Sequence, residues 1–139
     1  MHVTARTVRV LLVDDQESFR SAARLVIQMT EGFELVGEAA SGEEATDLAA
    51  SVAPDLVLMD ISLPGIDGLE ATRRIRRHLP GTRVISISTY GAAEYETRAL
   101  EAGAVAFLPK SEFVPEELIR IWEGSTRAGS GRAADGGRT

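Results

Sequence analysis

The sequence predicts a doubly wound α/β fold, a parallel five-stranded sheet with helices on both faces. Three observations predict it. Strand-like stretches alternate with stretches of helical spacing along 139 residues, five of each. The run Leu56-Val57-Leu58-Met59 is apolar without alternation, as in a strand covered on both sides. No internal repeat is present, so alternating units wind into one sheet.

The elements follow in order. Residues 1–7 read as an N-terminal lead. Val8–Val13 is a strand that runs into Asp14-Asp15. Glu17–Thr30 has helical spacing, with Phe19, Ala22, Ala23, Val26 and Met29 as its apolar stripe, and Gly32 ends it. Phe33–Ala39 alternates like a strand near the sheet edge. Ser41-Gly-Glu-Glu44 is a capping box that opens a second helix, whose inner face is Ala45, Leu48, Ala49 and Val52. The third strand, Leu56–Met59, delivers Asp60 to a Pro64-Gly65 turn. Asp67–Leu79 is a helix with Leu69, Thr72, Ile75 and Leu79 inward. Arg83–Ser88 is a strand that turns polar at its end, and Ala92–Ala102 is a helix closed by Gly103. Ala104–Leu108 is a short strand before Pro109-Lys110. Pro115 suits the first turn of a last helix, with Leu118, Ile121 and Trp122 inward. Five of the thirteen glycines fall in the last sixteen residues, which predicts a flexible Gly/Arg-rich tail over 124–139. Residues 8–123 are then the folded domain.

In a flavodoxin-like order, 2-1-3-4-5, the crevice lies between the first and third strands at their carboxyl ends. Asp14 and Asp15 end one of these strands and Asp60 the other. Two carboxylates about 5 Å apart repel by roughly 3 kcal/mol at an effective dielectric near 20. Three in one cleft require retained protons or a cation. Oxygen-only ligation suits a hard divalent ion, and Mg²⁺ takes one or two carboxylates with water and phosphate. Ser88 and Lys110 end the fourth and fifth strands at the same edge. Lys110 is the single lysine among fifteen basic residues, which singles out a position for a compact charge on a flexible stem. A hydroxyl, an ammonium and a free carboxylate beside a cation suit a phosphoryl group and an aspartyl-phosphate.

Composition narrows the function classes. The absence of cysteine excludes thiol catalysis, disulfide staples and Cys-based zinc sites. His2 and His78 lack ligand spacing. The net charge of −6 argues against general nucleic-acid affinity, and Arg73, Arg74, Arg76 and Arg77 read as a solvated helix face. Neither a signal peptide nor a membrane-length apolar stretch is evident, so a cytoplasmic location is expected.

Four pieces in order resemble the receiver domain of two-component response regulators. They are Leu-Leu-Val-Asp14-Asp15, Leu-Met-Asp60-Ile-Ser-Leu-Pro64-Gly-Ile-Asp67-Gly68, Ser88-Thr89 and Phe107-Leu-Pro-Lys110. The wording around Asp14 and over Gly37–Ala45 is most similar to the subfamily with a helix-turn-helix output domain, although no such pattern follows the last helix. The resemblance implies that Asp60 accepts a phosphoryl group from a histidine kinase. It implies Mg²⁺ on Asp15, Asp60 and the Ser62 carbonyl, with Asp14 acting through water. It implies Lys110 and Ser88 on the phosphoryl oxygens, with Phe107 as a switch that turns inward as Ser88 moves. The face of the fourth helix, fifth strand and fifth helix then reports the change to an output protein or a second copy.

The pattern departs from the family in two places. Thr89, with Tyr90 after it, stands where a small residue is usual, which predicts slower loss of the phosphoryl group. Ser111 rather than proline follows Lys110, so a trans bond is expected there. The alternatives are a phosphate-independent docking module, the receiver of a DNA-binding regulator, and a phosphatase with an Asp nucleophile. The last is disfavoured because Ser62 stands where those sites place a second acid.

Overall fold

The computed structural model describes residues 6–89, 91 and 93–136, with side chains described up to residue 125. Five strands and five helices alternate: β1 (Val8–Val13), α1 (Glu17–Met29), β2 (Phe33–Ala39), α2 (Gly42–Val52), β3 (Leu56–Asp60), α3 (Gly68–His78), β4 (Arg83–Ser88), α4 (Ala93–Ala102), β5 (Ala106–Pro109) and α5 (Pro115–Gly136). A 3-10 turn, Lys110–Glu112, links β5 to α5. All strands are parallel, in the order β2-β1-β3-β4-β5.

Strand periodicity sorts the core into layers. Val10, Leu12, Leu56, Leu58, Ile85 and Ile87 face α1 and α5, where they meet Ala23, Ile27, Leu118 and Ile121. Their alternates Leu11, Val13, Val57, Met59 and Val84 face α2 and α3, against Ala45, Ala49, Ala71 and Ile75. β3 is buried along its whole length, as its unbroken apolar run requires. A third cluster joins Ile61 and Leu69 to Ala99, Ala102 and Ala104 under α4.

The capping box forms: Ser41 Oγ accepts from Glu44 N at 3.1 Å, and Glu44 Oε1 accepts from Ala40 N at 2.8 Å. Asp67 caps α3 rather than lying inside it, accepting from Glu70 N at 2.9 Å. Every described peptide bond is trans, Lys110–Ser111 included.

Three expectations need correction. The buried stripe of α1 is Ala23 and Ile27, while Ala22 is exposed and Met29 is 73% exposed. Phe19, Ala23 and Val26 of the expected stripe do pack into the core, with Ile27 in place of Ala22 and Met29, because a 19-23-27 row fits the same spacing. β5 begins at Ala106, not Ala104, because Ala104 N still bonds back to Ala99 O at 3.0 Å to finish α4. The backbone after Gly124 is helical through Gly136, where glycine content predicted loose chain; Arg and Ala between the glycines are strong helix formers. Residues 137–139 and residues 1–5 lie outside the described residues. In the expected lead, Arg6 pairs with Asp55 at 3.0 Å. Among the described residues no helix is long and apolar enough to cross a membrane.

Candidate functional site

Sheet register brings the strand ends level. Val13 pairs with Met59, Asp60 with Ile87, and Ser88 with Pro109. Asp14, Asp60, Ser88 and Lys110 therefore stand at the same edge: Asp14 is level with Asp60, Ser88 is one residue further along and Lys110 two.

Asp14, Asp15 and Asp60 each place a carboxylate oxygen within 4.8 Å of the others. Among the described residues this is the one group of three or more acidic or histidine side chains close enough to share an ion. Asp14 is fully buried, Asp60 is 4% exposed, and Asp15 faces solvent. Backbone amides fix the two buried acids. Gln16 N donates to Asp14 Oδ1 at 2.8 Å, and Ser62 N donates to Asp60 Oδ1 at 3.1 Å. Each is the turn an Asp makes with the amide two residues on.

Lys110 completes the constellation. Its side chain is 12% exposed, and Nζ lies 2.7 Å from Asp14 Oδ2 and 3.4 Å from Asp60 Oδ2. The shorter contact is charge against charge without hydrogen-bond alignment, so Asp14 Oδ2 is a buried oxygen with no hydrogen-bond donor lined up on it. Three carboxylates against one ammonium leave two negative charges in a mostly buried cleft. That donor set, all oxygen and doubly negative, fits a divalent hard cation. Burial first, and then the neighbouring Asp14 charge, push the Asp60 carboxyl up to about 6; Lys110 and the Ser62 amide pull the other way.

Gly68 explains why the Pro64–Gly68 turn reads as it does. Its N–H donates to Ile61 O at 2.9 Å, and a Cβ there would overlap the carbonyl oxygen of Asp60. Only glycine lets α3 start against the backbone of the acceptor residue. Gly65 sits at φ +73°, in the left-handed region that glycine favours.

Ser88 is buried at the end of β4. Phe107 is half-buried against the cluster of Ile61, Leu69, Ala99 and Tyr95. Thr89 is exposed, and Tyr90 lies outside the described residues. Phe19, part of the apolar stripe expected for α1, packs against the core and has a second contact that the sequence does not show. Lys110 Nζ stands 4.6 Å from the centre of the Phe19 ring. No local signal marks that contact, since it depends on how α1 packs beside the turn after β5.

A family model described as "Response regulator receiver domain" matches residues 10–123. The curated protein "Response regulator GacA" of Pseudomonas viridiflava is 38% identical over 114 residues, which is 82% of this chain and 53% of that protein. The chain thus spans about half the length of the curated relatives it matches. A two-component response regulator of the LuxR family from Aurantimonas sp. SI85-9A1 superposes with a TM-score of 0.80 at 36% identity, covering 88% of this chain and 86% of that one. A CheX-CheY-BeF3-Mg+2 complex from Borrelia burgdorferi contains a chain similar at TM-score 0.76 and 28% identity, over 87% of this chain and 90% of that one.

Proposed function

The chain belongs to the response regulator receiver domain family, and from that premise we propose that it accepts a phosphoryl group on Asp60 from a sensor histidine kinase and signals by protein contact. The observation that carries this reading is the convergence of Asp14, Asp15 and Asp60 within 4.8 Å, with Lys110 reaching both buried acids. A structural role alone leaves that crowding of charge unexplained.

Mg²⁺ would be held by Asp15, Asp60 and the Ser62 carbonyl, with Asp14 engaged through water. Bound there, it would neutralise charge on the phosphoryl oxygens. Asp60 is the nucleophile: its oxygen forms the P–O bond as the P–N bond of the donor's phosphohistidine breaks, and the donor leaves as neutral imidazole. Burial of Asp60 keeps competing water scarce. Lys110 exchanges its carboxylate contacts for a phosphoryl oxygen, a charge-assisted contact. Ser88 donates its hydroxyl to a second oxygen, and Phe107 turns into the space this opens. Beyond this self-phosphorylation and dephosphorylation the domain, residues 8–123, carries no enzymatic role.

The output surface in this reading is the face of α4, β5 and α5. Leu100 and Val105 are exposed on it, beside a groove of about 530 Å³ that Arg76, Arg120 and Ile121 also line. Apolar side chains rimmed by cations suit a protein partner or a second copy. Contact with DNA belongs to an output domain of the kind the subfamily carries. The location of such signalling is cytoplasmic.

Incubation with Mg²⁺ and acetyl phosphate, followed by intact mass, tests the proposal. A single phosphoryl adduct that disappears in Asp60→Asn is expected. No adduct would leave a docking module instead, and turnover of added phosphoesters would make the protein a phosphatase.

A further inference from the structure

Lys110 has a third neighbour besides the two buried acids. Its ammonium lies over the face of Phe19, 4.6 Å from the ring centre, on α1. Phe19 is half-buried and is itself braced by Phe113, whose ring centre is 6.0 Å away at an interplanar angle of 49°. Phe113 N donates to Lys110 O at 3.2 Å, closing the 3-10 turn that carries the lysine. The same ring therefore touches both ends of that turn, the ammonium with its face and Phe113 at its flank.

We propose that Phe19 is a positioning residue that holds the Lys110 ammonium in the crevice, poised for the incoming phosphoryl group; this rests on the reading of Asp60 as the acceptor. The physical case is short. A lysine stem has four rotatable carbons, and left to itself the charge reaches for water. In a site where it is 12% exposed, its anchors are two carboxylates that must also serve a cation and a phosphoryl group. The negative face of an aromatic ring attracts a cation and strengthens as water is excluded. Phe19 keeps the ammonium at hand when those carboxylates turn to other partners. Leucine or methionine at position 19 would fill a similar volume without that face.

Because Lys110 is the single lysine of the chain, one label reports on it. In protein grown with ¹³C-lysine, the Lys110 Hε resonance is expected to lie upfield through the Phe19 ring current. It should move downfield in Phe19→Leu and stay upfield in Phe19→Trp. The rate of phosphorylation by acetyl phosphate with Mg²⁺ should fall about three- to thirtyfold in Phe19→Leu and recover in Phe19→Trp. Matching melting curves show that both variants are folded. An unmoved Lys110 resonance in Phe19→Leu, or an unchanged rate, would overturn the proposal. If the wild type took no phosphoryl group, the reading of Asp60 would fall. The Lys110 resonance would still decide whether Phe19 holds the ammonium.

Discussion

At Asp60, burial and the Asp14 charge both oppose ionisation, and this residue's own stability effect follows with a definite sign. Its folded-state carboxyl titrates near 6, above the ordinary 3.8. The folded protein therefore binds the proton more tightly than the unfolded chain does. The cost of charging Asp60 is fully present above pH 6, shrinks as pH falls from 6 towards 4, and is gone below that. Asp60→Asn removes the charge and keeps the shape. In EDTA, its denaturant midpoint at pH 7 should correspond to a gain of about 1–3 kcal/mol over the wild type, vanishing near pH 4. Equal stabilities at pH 7 would contradict the strained acid. Thr89 carries a second prediction at this scale. It is exposed immediately after Ser88, and the prediction is that its bulk there would narrow the approach of water to a phosphoryl group on Asp60. Thr89→Ala should speed dephosphorylation, followed as decay of the adduct after removal of donor; an unchanged decay rate would discard the idea.

Elements carry the residues to these positions, and the sharpest dependence is at the start of α3. A Cβ at Gly68 meets the carbonyl of Asp60 and the Cα of Ile61, both backbone, so no side-chain rotation relieves it. Gly68→Ala should lower stability by about 2–3 kcal/mol and displace Asp60, with loss of the phosphoryl adduct. A Ser41→Ala change, which removes the cap of α2 away from the site, should cost about 1 kcal/mol and leave the adduct intact. The contrast separates a positional from a general defect, by urea titration and intact mass on the same samples. The same elements show what was legible in the sequence. Strand ends with charged residues, an unbroken apolar run and a fixed strand order were enough to bring Asp14, Asp15, Asp60 and Lys110 together, because sheet register is local and periodic. That Ile27 rather than Ala22 and Met29 completes the inner face of α1 was not legible, since two apolar rows fit its spacing equally well. The contact of Phe19 with Lys110 was hidden for a different reason: it joins residues 91 apart in the chain. Glycine count does not reveal the helix beyond Gly124, because the Arg and Ala between the glycines favour it.

The whole molecule is held together by two helical layers on one sheet, yet its most strained feature is a pool of unbalanced charge at one edge. That makes stability and cation binding one equilibrium. A cation that binds the folded crevice and not the unfolded chain raises stability by RT ln(1 + [L]/Kd), about 1.4 kcal/mol at ten times Kd. For a domain of this size the melting temperature should then rise by roughly 5 °C. If the cation is held on Asp60, the proton competes for the same oxygens, because that carboxyl titrates near 6. At pH 8 the competition is negligible. At pH 5 about nine in ten molecules are protonated there, the apparent affinity falls about tenfold, and the same Mg²⁺ concentration contributes only about 0.4 kcal/mol. Melting curves with and without Mg²⁺ at the two pH values should therefore show a shift that is large at pH 8 and nearly lost at pH 5. Asp15→Asn, exposed on the solvent side of the crevice, should remove the shift at both while leaving the metal-free melting temperature close to that of the wild type. A shift of equal size at both pH values would mean that the cation binds away from Asp60, and the crevice would lose its claim to be the metal site.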